Sequence, residues 1–468
     1  MVARRLSLLD TNFLQLESAR QPMHVAGLMI FELPANNKLE FVGELVQCFR
    51  GCKVFHNPWN YRLQSASRMQ FMPLLQEVHD IDMEYHVRHL ALPRPGGERE
   101  LGQMIARLHS QPLDLRRPMW EVHIIEGLEN DRFAIYLKIH HCLVDGVSAT
   151  KILMRALATE PDALGQLPFW AVSDDSSKGI PRAQLKAERK KSSLPTAADV
   201  LAISRTLAYT WFGKSDGEEV TLRSAPRSII NDRIHTQRRF ATHAEPLDRI
   251  KAIAKGADAS LNDIVLALTG TVLREYLENH NALPEEGLTA SIPVSLHDPN
   301  AKEIKNNIGM IFATTGTHIA DDRRRLEVIK ASTNKAKARL QALPSGTQSL
   351  YSNIMLLPYV GSLITGMAGR AKPAFNVVVS NVPGPKEPRY LFGARLTNLY
   401  PVSIPMHGGA LNVTCFSHAG ILNFGLTACR DSLPQMQQMA VSLGRAVDRY
   451  EELYCGKVTP IRSASGTH

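Results

Sequence analysis

A chain of 468 residues exceeds one ordinary hydrophobic core, so two domains of roughly 200 residues each are expected. A hydrophobic content of 44% against 21% charged residues excludes both a wholly disordered chain and a polytopic membrane protein. The formal net charge of +9 suits an anionic partner such as nucleic acid, a phospholipid surface or a phosphate-rich cofactor. Without zinc-finger spacing or an aromatic RNA-binding signature, nucleic acid is the weakest of the three.

At the amino terminus, Arg4 and Arg5 precede a short apolar stretch, residues 6–9, which Asp10 interrupts. No signal-peptide core forms, and a cytoplasmic protein is expected. Residues 120–128 and 133–140 read as two strands joined by the polar connector 129–132, hence a hairpin. Trp120 is a core or tunnel-wall aromatic and a candidate substrate contact. Along the second strand, alternation puts Phe133, Ile135, Leu137 and Ile139 on one face and Ala134, Tyr136, Lys138 and His140 on the other. The same parity places His141 with the apolar set. Cys142 to Gly146 then form a corner before a helix over 147–158, and Gly146 is expected to allow a backbone angle that other residues resist.

A buried imidazole whose other ring nitrogen is held by a hydrogen bond accepts a proton near neutral pH, which makes His141 a candidate base. Asp145 either orients that ring or turns outward to pair with an arginine and fix the loop, and the second role is favoured. On spacing alone, His140, His141 and Asp145 fit catalysis, a structural polar cluster or a zinc site. The six cysteines, with only Cys48 and Cys52 close together, supply neither a disulfide framework nor a four-ligand zinc pattern, and no metal is expected.

From Ser173 to about Pro195 the composition turns to Ser, Lys, Arg and Ala, the mark of a linker that is solvated or rests on anionic lipid. A helix over 197–212 follows. Ser260 and Asp263 form an S-x-x-D capping pattern ahead of an apolar helix over 264–277, and the Asn262 amide is a candidate to steady an oxyanion. Residues 341–369 carry no charged side chain. Pro358, Gly361 and Gly366 keep their apolar runs below the roughly 20 residues of a membrane span, which leaves a tunnel lining or an interfacial segment. Gly366 is expected to shape an acyl pocket. Residues 375–380 read as a strand that ends at a turn over 381–385, and 411–417 and 421–429 as a second hairpin.

The run His140-His141-Cys142-Leu143-Val144-Asp145-Gly146 matches the HHxxxDG motif of the wax ester synthase/diacylglycerol acyltransferase family. Leu9-Asp10, Phe13, Glu17 and Pro22-Met23-His24-Val25 resemble its opening block, and Pro112-Leu113-Asp114 with Arg117 to Glu121 its PLW segment, with Met119 where Leu is usual. Ser260 to Asp263, Ser291 to Leu296, Asn306 to Gly309 and Asn381 to Pro385 continue the series in order, with His297 where Arg is common.

This resemblance implies an α/β (α+β) protein of two chloramphenicol-acetyltransferase-like domains, with mixed sheets, flanking helices and an active-site tunnel at their interface. The domains would span 1–180 and 221–468, joined by a linker and connecting helix over 181–220. It further implies transfer of a long-chain acyl group from acyl-CoA, a co-substrate rather than a bound cofactor, to a fatty alcohol or diacylglycerol. His141 would be the general base, with His140, Asp145, Gly146 and Asn262 in the catalytic set. Trp120, Asp263, Gly366 and Asn381 would contact substrate. Peripheral contact with the inner membrane or lipid inclusions is expected. The alternatives are a non-enzymatic lipid-droplet protein of the same fold and an amide-forming condensation enzyme. The intact histidine motif weighs against the first and the missing carrier domain against the second. A serine-hydrolase mechanism would need the G-x-S-x-G elbow that the residues after Gly146 lack.

Overall fold

The computed structural model describes residues 3–6, 8–35, 38–65, 73–144, 146–173, 219–295, 308–344 and 347–456, together with positions 204, 206, 207, 210, 211 and 213. Asp145, His297, Asn306, Asn307 and most of the expected linker and connecting helix lie outside the described residues.

The first half of the chain runs β1 (Ala3–Arg5), α1 (Leu8–Leu16), β2 (His24–Glu32), α2 (Phe41–Gly51), β3 (Tyr61–Leu63), β4 (Leu74–Glu77), α3 (Met83–His86), β5 (Val87–Ala91), α4 (Glu98–Ser110), β6 (Trp120–Leu128), β7 (Arg132–His140) and α5 (Gly146–Ala156). The second runs β8 (Arg238–Pro246), α6 (Leu247–Gly256), α7 (Leu261–Asn279), β9 (Thr289–Ser295), β10 (Ile308–Thr314), α8 (Asp322–Gln341), α9 (Gln348–Ile364), β11 (Val377–Pro383), β12 (Tyr390–Leu391), β13 (Ala394–Val402), β14 (Leu411–His418), β15 (Ile421–Cys429) and α10 (Gln437–Cys455).

Two six-stranded mixed sheets organise these elements, in the orders β12-β13-β2-β7-β6-β5 and β10-β9-β11-β14-β15-β8. In the first, only the β5–β6 pair is parallel; in the second, β11 runs parallel to both β9 and β14. Both hairpins expected from the sequence are present. The β6–β7 connection turns through Asn130 and Asp131 at φ 61° and 52°, a left-handed pair that short polar side chains tolerate and that matches strand twist. The β14–β15 connection does the same through Ala419 and Gly420.

Strand β7 is central and buried on both faces, and its two side-chain sets enter different cores. Phe133, Ile135, Leu137 and Ile139 pack with Phe49, Trp120 and Trp170. Ala134 and Tyr136 pack with Leu28, Ile105 and Phe240. Because Phe240 belongs to β8, the second set meets the other half of the chain. Buried polar ties reinforce this contact: the Arg238 N–H donates to Ser110 Oγ at 2.9 Å, and its guanidinium to the Arg20 carbonyl at 2.7 Å.

Residues 390–402, in the second half of the chain, join the first sheet: β13 pairs antiparallel with β2 and carries β12 onto its edge. A polar stretch marks where a chain leaves a core, but sheet membership is set by pairing with a distant strand. Thr397 reaches the Ile30 carbonyl across 367 positions. One expectation needs correction: Asn381 does not begin a turn. It lies within β11, opposite Cys415 of β14, and the strand continues to Pro383. Among the described residues, no helix is long and apolar enough to cross a membrane.

Candidate active site

The histidine pair sits where β7 leaves its sheet. The His140 N–H donates to the Met119 carbonyl and the His141 N–H to the Met23 carbonyl, each at 2.9 Å. The corner is therefore clamped between the segments that lead into β6 and β2. Leu143 N–H returns to the His140 carbonyl at 3.0 Å and closes the turn.

The two rings have different surroundings. His140 is fully buried, with Nε2 3.2 Å from Glu17 Oε2, while the Cys142 N–H donates to Nδ1 at 3.2 Å. Burial opposes a charge on His140, whereas the Cys142 side chain and the Glu17 carboxylate pull its pKa upward. A second proton on Nδ1 would face the Cys142 N–H. The arrangement that satisfies every contact is Nε2–H donated to Glu17. His141 is half-buried, and its ring stacks on Phe13 with centroids 4.0 Å apart and planes at 19°. Phe13 lies in α1 and Glu17 just beyond its end, four residues on and so on the same side of the helix. One short helix thus holds both imidazoles.

Behind the pair lies a buried polar layer. His24 faces His140 across the β2–β7 ladder, and its Nε2–H donates to the His109 carbonyl at 3.2 Å. His109 gives its Nε2–H to the Ser403 carbonyl at 2.8 Å and accepts the Tyr136 hydroxyl on Nδ1, also at 2.8 Å. Burial lowers the pKa of His109 to about 3. Burial also holds His24 well below the ordinary histidine value, helped by His109 and Lys138, so both rings stay neutral. Lys138, fully buried, ion-pairs with Glu121 at 3.1 Å and donates to the Gln111 carbonyl. Burial works against ionisation of Glu121, but His123, Lys138 and Arg88 outweigh it and hold the carboxyl down to about 2.

In the second half, Asn381 Nδ2 donates to Asn262 Oδ1 at 2.9 Å, so these two candidates meet at the start of α7 and the end of β11. Val382, beside Asn381, packs against the apolar cluster that also contains Val144 of the histidine loop. The two motif segments therefore border one core.

The other predicted site residues each make contacts that belong to the fold. Trp120 is fully buried, donates its indole N–H to the Trp59 carbonyl at 2.7 Å and stacks on Trp170. Asp263 completes the capping box of α7: Oδ2 accepts from the Ser260 N–H and hydroxyl, and Oδ1 from Thr333 at 2.7 Å. Gly366 follows α9 in a left-handed turn at φ 71°, a Cβ there would meet open space, and its carbonyl accepts from Arg233. Gly146 is the exposed first residue of α5 and has no left-handed φ, so the expected special backbone angle is not present. Phe13 and Glu17 carried no assigned role in the sequence, and their signal was only their place in the opening block.

Comparison with known proteins assigns the chain. Residues 6–265 match the family model for the wax ester synthase/diacylglycerol acyltransferase catalytic domain, and residues 304–451 match the WS/DGAT C-terminal domain. The chain belongs to the wax ester synthase/diacylglycerol acyltransferase family. An O-acyltransferase WSD of Acinetobacter baylyi is 37% identical, covering 96% of this chain and 97% of the relative. A putative diacylglycerol O-acyltransferase of Mycobacterium tuberculosis is 39% identical with the same coverage of 96% and 97%. The solved wax ester synthase/diacylglycerol acyltransferase of Marinobacter aquaeolei superposes with a TM-score of 0.79 at 35% identity, over 97% of this chain and all of that one. A condensation domain of the calcium-dependent antibiotic synthetase shares the fold, with a TM-score of 0.61 at 16% identity. This WS/DGAT family member is an acyltransferase of mixed α/β architecture.

Proposed function

We propose that this WS/DGAT family member moves a long-chain fatty acyl group from acyl-CoA to the hydroxyl of a fatty alcohol or diacylglycerol, with His141 as general base. The observation that carries this reading is the contrast between adjacent rings. His140 is sealed and committed to Glu17, whereas His141 remains half-exposed with its plane held by Phe13. A base has to touch its substrate, and of the two rings the second is the one with exposed surface.

The alcohol oxygen gives its proton to His141 as it attacks the thioester carbonyl. The tetrahedral oxyanion then collapses, the carbon–sulfur bond breaks, and the coenzyme A thiolate takes the proton back from the imidazolium. Proximity and oxyanion stabilisation suffice because the thioester is already activated. With Asn262 Oδ1 accepting from Asn381, the Asn262 NH2 is the end that donates to the oxyanion. Asp145 fixes the motif loop. Substrates enter a tunnel between the two halves, and lipid acceptors are reached by peripheral contact with a membrane or lipid inclusion.

The test supplies hexadecanoyl-CoA with hexadecanol or with diacylglycerol and follows thiol release together with the ester product. Acylation of at least one acceptor is expected; product at the no-enzyme level with both contradicts the proposal.

A further inference from the structure

Helix α9 has two unlike sides. Tyr351, Met355 and Tyr359 recur every four residues and are buried. Leu350, Leu357 and Ile364 recur every seven, are 43%, 56% and 71% exposed, and form one stripe, because a seven-residue step drifts by only about 20° around a helix. Met367, 46% exposed, extends the stripe past the helix end. The other large apolar side chains exposed among the described residues, Leu39, Val54, Leu164, Leu167 and Val441, are spread along the chain. Asn353, also exposed on α9, is uncharged, and no charge occurs anywhere from residue 341 to 369.

Positive charge gathers at the end of this stripe. Arg370 and Lys372 follow it and are exposed; Arg227 donates to the Arg370 carbonyl, and Arg233 to the Gly366 carbonyl at 2.9 Å. Asp232 precedes Arg233, and Asp431 precedes Ser432, whose hydroxyl donates to the Arg233 carbonyl. An uncharged apolar stripe with a cationic end is complementary in charge and polarity to a lipid–water boundary whose headgroups are anionic.

We propose that the outer stripe of α9 docks the enzyme on an anionic lipid surface, with Leu357, Ile364 and Met367 entering the acyl region and Arg227, Arg370 and Lys372 at the phosphates. This rests on the reading that the acceptor is a lipid, and it assigns the surface through which such an acceptor is approached.

The experiment is flotation with phosphatidylcholine vesicles, with and without phosphatidylglycerol, alongside transferase assays on a short-chain alcohol dissolved in water. The full-length protein is expected to float with the phosphatidylglycerol vesicles. Leu357→Asp/Ile364→Asp should lower its partition at least about tenfold, and Arg370→Glu/Lys372→Glu should abolish the preference for phosphatidylglycerol. Both variants should keep the wild-type rate on the dissolved alcohol. Wild-type flotation by the aspartate variant overturns the proposal, as does a wild type that floats with neither vesicle. A dimer that the aspartate variant dissociates with flotation unchanged overturns it too, and assigns the stripe to self-association. Absence of any transferase activity would instead refute the catalytic reading, because flotation is measured independently of it.

Discussion

Truncating Glu17 to alanine removes the acceptor for a fully buried imidazole N–H. In the native site, Glu17 Oε2 lies 3.2 Å from His140 Nε2, and both side chains are almost wholly excluded from water. A buried donor left without a partner costs about 1–3 kcal/mol. At a central value of about 2 kcal/mol, a domain of this size should melt roughly 4–8 °C lower. Glu17→Gln keeps an acceptor oxygen in nearly the same volume and gives up only the charge assistance, so less than half of that decrease is expected. Since His140 is bonded to His141 through the backbone, Glu17→Ala should also depress kcat while the KM for acyl-CoA changes little. Calorimetry and steady-state kinetics on the three proteins read both effects. If Glu17→Ala melts with the wild type and retains its kcat, the helix-held histidine corner is not what organises this site.

The Glu121 cluster gives a pH signature. A carboxyl held down to about 2 contributes stability that is complete above the ordinary glutamate value of 4.5 and is lost as pH falls between the two, so acid should destabilise the wild type more than Glu121→Gln/Lys138→Met. Equal acid sensitivity in urea titrations would contradict this, and Glu121→Gln alone should cost about 3–5 kcal/mol because it strands buried Lys138. If Asn381 acts by orienting Asn262, alanine at both positions should slow the reaction no more than Asn262→Ala alone; additive losses in kcat/KM would separate their roles. Gly366→Ala should destabilise by about 1 kcal/mol through its left-handed φ and leave the acyl chain-length profile unchanged, and a shifted profile would return the residue to the substrate pocket.

The elements legible in the sequence are those specified by local period. The alternation along 133–140 placed alternate side chains in two different cores, and Ser260 with Asp263 marked the start of α7, because strand parity and capping act within a few residues. Long-range pairings were not legible. Glu17 and His140 are 123 positions apart, and the insertion of β13 beside β2 depends on two strands that carry no mutual signature. Local sequence also left open that Trp120 would be sealed among Trp59 and Trp170 and that Gly366 would end α9 in a left-handed turn, because burial and φ are set by the packed chain. The motif series located the histidine corner without revealing that its two rings differ.

The most direct test of the account is the transferase rate of His141→Ala, measured with saturating acyl-CoA and whichever lipid alcohol the wild type acylates, on protein shown to melt like the wild type. Loss of general-base assistance predicts a rate at least about 100-fold lower. A rate within a few-fold of the wild type would remove His141 from the chemistry.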